Sequence, residues 1–115
     1  MSRHDDSISI RQMLDHVEEA MALARDRSKP DLASDRVFYL ALVKLVEIVG
    51  EAAARVSEPW QAAHPDIPWR LIIGTRHRLI HGYDTVDHNI LWDIVTLDFP
   101  PLAAQIKALL PDKRA

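Results

Sequence analysis

Cysteine is missing altogether from the 115 residues, which excludes disulfide staples and thiolate catalysis and fits a reducing cytoplasm. Glycine is scarce, with three in the chain, and most of the seven prolines fall between helical patterns or at their ends. The turn-rich punctuation of an all-β protein is therefore lacking, and an all-α fold is expected. No apolar run reaches transmembrane length. The opening MSRHDDSISIRQML carries acids in place of a leader's apolar core, so neither membrane insertion nor export is expected. Positive charge is not in excess either: the formal net charge is −3, and contact with nucleic acid would need a local patch. With no internal repeat and 48% hydrophobic residues, residues 1–115 are expected to form one domain with a modest core.

What is present is helical periodicity. From about Asp6 to Arg27, apolar residues recur at Ile10, Leu14, Val17, Met21 and Ala24, with Asp5 or Asp6 available as N-cap. SKPDLAS breaks the pattern and reads as a loop, with Ser34 placed to cap the next helix. That second helix, Asp35 to about Val56, is apolar except for a line through Lys44, Glu47, Glu51 and Arg55, and is predicted to be central or shared with a partner. Glu51 and Arg55 are spaced for an ion pair of about 0.2–0.5 kcal/mol. Gly50 costs this helix roughly 1 kcal/mol relative to Ala, which predicts close approach by another backbone.

SEPWQAAHPDIPW predicts a short helix with Pro59 in its first turn and Pro65 and Pro68 around its exit. A third helix is expected from Pro68 through WRLIIGTRHRLIH, stopping at Gly82. The last segment, Val86 to Leu110, carries Ile90, Ile94, Leu97, Leu102, Ile106 and Leu109 on one face. Pro100 and Pro101 predict a kink there, or a restart capped by Asp98. Trp60, Trp69 and Trp92 sit in aliphatic patterns and read as core or interface fillers. The sum is a four- to five-helix up-and-down bundle.

The chemistry concentrates in TRHRLIHGYD, Thr75 to Asp84. Arg76 and Arg78 keep their charge and can grip phosphate oxygens at two points. His81 can take or give a proton near neutral pH. Together they are a minimal kit for metal-free RNA cleavage. On an ideal helix residues five apart point about 140° from each other, so the site is expected to be completed by helix fraying or by two copies meeting across a dimer axis. Two other readings stay open. His77 and His81, four apart, have a zinc-ligand spacing, with His88 or Glu47 conceivable as a third ligand, although the flanking arginines repel a dication. The cluster could also simply satisfy a helix C-terminus, where cations are favoured by about 0.3–1 kcal/mol.

RHRLIHGY resembles the R-x-x-x-x-H-x-Y signature of HepT-like toxins in the HEPN (higher eukaryotes and prokaryotes nucleotide-binding) superfamily. VEIVGEAA, HPDIPWRLIIGTRHRLIHGYDTVD and LWDIVTLDFPPL follow the same family in order and spacing. The resemblance implies a homodimeric helical bundle that cleaves RNA without metal or other cofactor. It also implies a minimal nucleotidyltransferase antitoxin, which transfers AMP from ATP to the motif tyrosine. By position Arg76 would bind phosphate, His81 would be the acid/base, Tyr83 the modified residue, and His77 would assist where the family often has Asn. Arg78 is a further RNA-contact candidate. The other function this resemblance allows is a non-catalytic dimer serving as partner and substrate of such a transferase.

Overall fold

The computed structural model describes residues 5–81 and 85–110. Helix α1, Asp6–Ala24, starts where Asp5 accepts hydrogen bonds from the Ser7 N–H at 2.9 Å and the Ser7 hydroxyl at 2.7 Å. It buries Ile10, Met13, Leu14, Val17, Ala20 and Ala24, the face its periodicity predicts, with Met21 at the margin. The segment expected as a plain loop contains a short helix, α2, Asp31–Ser34. This turn takes Ser34 into its own last position. Asp35 therefore caps the next helix in its place, accepting from the Phe38 N–H at 3.1 Å.

Helix α3, Arg36–Ala54, packs along α1 and buries Phe38, Leu42, Leu45, Val46, Val49, Ala52 and Ala53. Its central placement follows from its apolar composition. Helix α4, Glu58–Ala63, has Pro59 in its first turn and Ser57 as cap. Ser57 is also held by Asp6, which accepts from its N–H at 2.8 Å and its hydroxyl at 2.6 Å, fastening this turn to the start of α1. Trp69 and Trp60 meet edge to face at 5.9 Å, and the Trp69 indole N–H donates to the His64 carbonyl at 3.0 Å.

The predicted third helix is not continuous. It divides into α5, Trp69–Ile73, and α6, Thr75–Leu79, with Gly74 between them. Nor does it reach Gly82. Ile80–His81 is a short strand, β1, paired antiparallel with β2, Thr85–Val86, in the register Ile80 to Val86 and His81 to Thr85. The Asp87 N–H extends the pairing to the Leu79 carbonyl at 2.8 Å. Helical periodicity through RHRLIH could not reveal this, because the partner backbone lies beyond the motif. The expected stop at Gly82 itself lies outside the described residues.

Helix α7, His88–Asp93, is capped by Asp87, which accepts from the Ile90 N–H at 3.0 Å. It runs through a π-helical turn, Ile94–Asp98, into α8, Phe99–Leu109. Pro100 and Pro101 thus neither stop the helix nor force a restart. The Phe99 N–H reaches back five residues to the Ile94 carbonyl, and the widened turn makes room for two residues that lack N–H groups and would crowd the preceding carbonyls. Asp98 makes no side-chain cap. The extra residue in that turn also resets the buried face to Leu91, Ile94, Val95, Phe99, Leu102, Ala103 and Ile106. Leu97, expected inside, is 65% exposed, and Leu109 38%. The architecture is all-α, a helical bundle of α1, α3 and the α7–α8 rod, with α5 and α6 laid against α3. Among the described residues no helix is long and apolar enough to cross a membrane.

Candidate functional site

Gly50 decides how the motif meets the rest of the bundle. A Cβ there would stand 3.2 Å from the Ile72 carbonyl oxygen, so the bare glycine lets the end of α5 sit directly on α3. The close approach predicted from its helix cost is present. Past that contact the chain bends at Gly74, and Thr75 stitches the bend, its buried hydroxyl donating toward the Ile72 carbonyl at 2.7 Å and the Leu71 carbonyl at 3.1 Å. The start of α6 is therefore tied to the end of α5 by the Thr75 side chain.

Arg76 is the next residue. It is exposed at the edge of a cleft of about 380 Å³ between α3 and the α5–α6 bend, lined by Lys44, Glu47, Gly50, Glu51, Thr75 and Arg76 among others. Among the described residues Arg76 forms no ion pair, and neither do Lys44, Glu47 or Glu51. The expected Glu51–Arg55 pair is likewise not formed among them. The charged line along α3, which in sequence reads first as a solvated stripe, supplies one wall of this cleft through Lys44, Glu47 and Glu51. Periodicity carried a signal for it: a row of charges and an interior glycine on one otherwise apolar helix.

Arg78 is turned away. Two residues on along α6 correspond to about 200° of rotation. Its guanidinium Nη1 lies 3.4 Å from Asp98 Oδ2, beside Phe99 and Leu102 at the start of α8. Both side chains are about one-third exposed, so the pair is a modest clasp between α6 and the α7–α8 rod. The two arginines thus do not converge. His77 is exposed between their directions. His81 is delivered by strand β1, and the ideal-helix angle between it and Arg76 does not apply, because the helix ends at Leu79. Tyr83 lies outside the described residues. His88, conceivable as a metal ligand, instead rests against the Tyr39 ring at 5.1 Å, and Glu47 lines the cleft with Arg76. Among the described residues no three His, Asp or Glu side chains are grouped to hold a metal ion.

A second charged cluster lies at the α1–α3 junction. Arg27 bonds Asp35 at 2.9 Å and Asp31 at 3.2 Å while covering the Phe38 ring at 4.0 Å. The Ser28 N–H, then Arg27, hold Asp31 below its usual pKa. The Phe38 N–H, then Arg27, do the same for Asp35. Each carboxylate is already committed to a backbone N–H and to Arg27, so this cluster reads as a joint between helices.

Comparison with known proteins agrees with the motif. The family model described as Ribonuclease HepT-like matches residues 13–109. A Thermococcus cleftensis protein named "Probable ribonuclease HepT" is 31% identical over 105 residues, covering 88% of this chain and 96% of its own. A protein of Caldanaerobacter subterraneus named as a candidate RNase is 31% identical over 108 residues, covering 90% and 96%. Another candidate RNase, from Methanocaldococcus jannaschii, is 25% identical over 107 residues, covering 93% and 98%. No solved structure matches the chain.

Proposed function

This chain belongs to the HepT-like ribonuclease family, and on that premise we propose that it is a metal-independent endoribonuclease acting as the toxin of a type II toxin–antitoxin pair in the cytoplasm. The observation that carries this reading is Arg76: an exposed guanidinium with no ion pair among the described residues, held at a cleft by a fixed helix start five residues before His81. A guanidinium without a carboxylate partner is available to a phosphodiester. His81 takes the proton from the attacking 2′-hydroxyl or returns one to the leaving 5′-oxygen, with His77 assisting. The site is completed in a homodimer. Val37, 77% exposed, and Leu40, 47% exposed, continue the Lys44–Glu47–Glu51 row along α3, so an apolar surface that a second copy can cover adjoins the cleft.

Tyr83 is the residue that a nucleotidyltransferase antitoxin modifies, using ATP. An AMP group two residues from His81 adds negative charge and bulk where the RNA phosphate must bind. The test is incubation of the wild-type protein and His81→Ala with labelled RNA in EDTA. Cleavage by the wild type alone, with both proteins equally helical by circular dichroism, is the expected result. Intact RNA with wild type, alongside labelling of Tyr83 by a minimal nucleotidyltransferase supplied with ATP, would replace the nuclease with a non-catalytic partner of such a transferase.

A further inference from the structure

We propose that Glu47 and Glu51 make the Arg76 cleft a guanine-selective base site, so that the protein prefers RNA carrying a guanine next to the phosphate held by Arg76. This rests on the ribonuclease reading above. A cleft built only to hold RNA backbone would be basic, because each contact neutralises a phosphate. Among the described residues this one is not: Lys44 and Arg76 in its lining are balanced in formal charge by Glu47 and Glu51. Two carboxylates beside a phosphate-binding arginine repel the backbone unless they face hydrogen-bond donors. An ionised carboxylate only accepts, so the part of RNA that suits it is a base edge that donates.

The four bases differ in what they offer. Guanine presents its N1–H and N2–H side by side, a pair of donors matching the two oxygens of one carboxylate. Adenine and cytosine each offer an amino group next to an acceptor nitrogen. Uracil offers one N–H between two carbonyls, both of which a carboxylate repels. The cleft's size is compatible with this reading, since about 380 Å³ falls in the roughly 300–1,000 Å³ range of small-ligand sites. Its position is compatible too, because Gly50 brings the α5–α6 bend against the same helix face that carries both glutamates. Arg76 then holds the phosphate while the α3 wall reads the attached base, and the cleft contributes selectivity as well as affinity.

The experiment uses full-length wild type, Glu47→Gln, Glu51→Gln and the double variant. The probes are fluorescent oligouridylates with one internal position varied as G, A, C or U. They are supplied as cleavable RNA and as 2′-O-methyl analogues, which lack the attacking hydroxyl and report binding alone. Wild type is expected to bind the G-containing 2′-O-methyl probe about tenfold more tightly than the all-U probe, the lower end of a good two-point base contact. The double variant should lose that preference while holding the all-U probe as well as before or better, since repulsion is removed. Both glutamates lie outside the buried core, and thermal unfolding of each variant checks that the bundle is retained. RNA cleavage with a preference absent in wild type, or unchanged in the double variant, overturns the inference and leaves the nuclease reading standing. A guanine preference that depends on the glutamates, in a protein that cleaves nothing, supports the inference and removes the nuclease reading. Altered sedimentation of the double variant with unchanged base preference assigns the glutamates to contact between copies, and the inference falls.

Discussion

At position 76 a guanidinium stands in the open, and at position 78 another is clasped to Asp98. The motif places them two apart, and the helix sends them to opposite sides. Arg76→Ala should lower RNA cleavage at least about a hundredfold, in line with losing a positioned charge at the reacting phosphate. Arg78→Ala should leave cleavage nearly unchanged and cost at most about 1 kcal/mol of stability, the value of an exposed ion pair. Labelled-RNA cleavage and urea unfolding of both variants check this contrast. Arg27 belongs to the same scale, since it bridges Asp31 and Asp35. Both carboxylates have folded pKa values below their ordinary 3.8. Their contribution to stability is present above about pH 3.8 and is lost as the pH falls through their lower folded values. The stability gap between wild type and Arg27→Met should accordingly be constant from neutral pH down to about 4, then narrow on further acidification, as followed by denaturant midpoints across that range.

Among the elements, α3 carries the largest structural consequence in its smallest residue. Gly50→Ala sets about 1 kcal/mol of helix propensity against a Cβ placed 3.2 Å from the Ile72 carbonyl, so the two effects nearly offset. Gly50→Val has no such balance: its two methyl groups must displace the α5 backbone. It should destabilise the bundle by about 1–3 kcal/mol and, by moving the start of α6, reduce cleavage more than its stability loss explains. Unfolding midpoints read beside cleavage rates under conditions where both proteins are folded test the coupling. The α7–α8 rod shows the same dependence on a local backbone choice. Its π-helical turn carries the chain past Pro100 and Pro101 and resets the buried face from Leu97 to Phe99.

For the whole molecule the question is whether Arg76 and His81 act within one copy or between two. Mixing Arg76→Ala and His81→Ala proteins after joint unfolding and refolding separates these possibilities. Sites shared across a two-fold axis leave one intact Arg/His pair in each mixed dimer. Random pairing should then restore about a quarter of wild-type cleavage, whereas sites built within one chain stay inactive. Sedimentation of the mixture, read together with its cleavage, shows whether dimers form and whether they carry the activity.

How much could be read in advance differs from element to element. The sequence by itself determined the class of fold, the buried face of α1 and the central place of α3, because 3.6-residue periodicity is a property of the chain alone. The order of Arg76, His77, His81 and Tyr83 belongs to the sequence in the same way, and so does the family that this order signals. Other features needed partners distant in sequence. The end of α6 at Leu79 depends on Thr85 and Val86 pairing back onto β1. The separate directions of Arg76 and Arg78 depend on where α3 and Asp98 stand. The charged stripe of α3 became the wall of a cleft only when the Ile72 carbonyl settled over Gly50. Periodicity records which side of a helix faces inward, but what lies opposite that side is fixed by packing, and packing is decided only when the whole chain is folded.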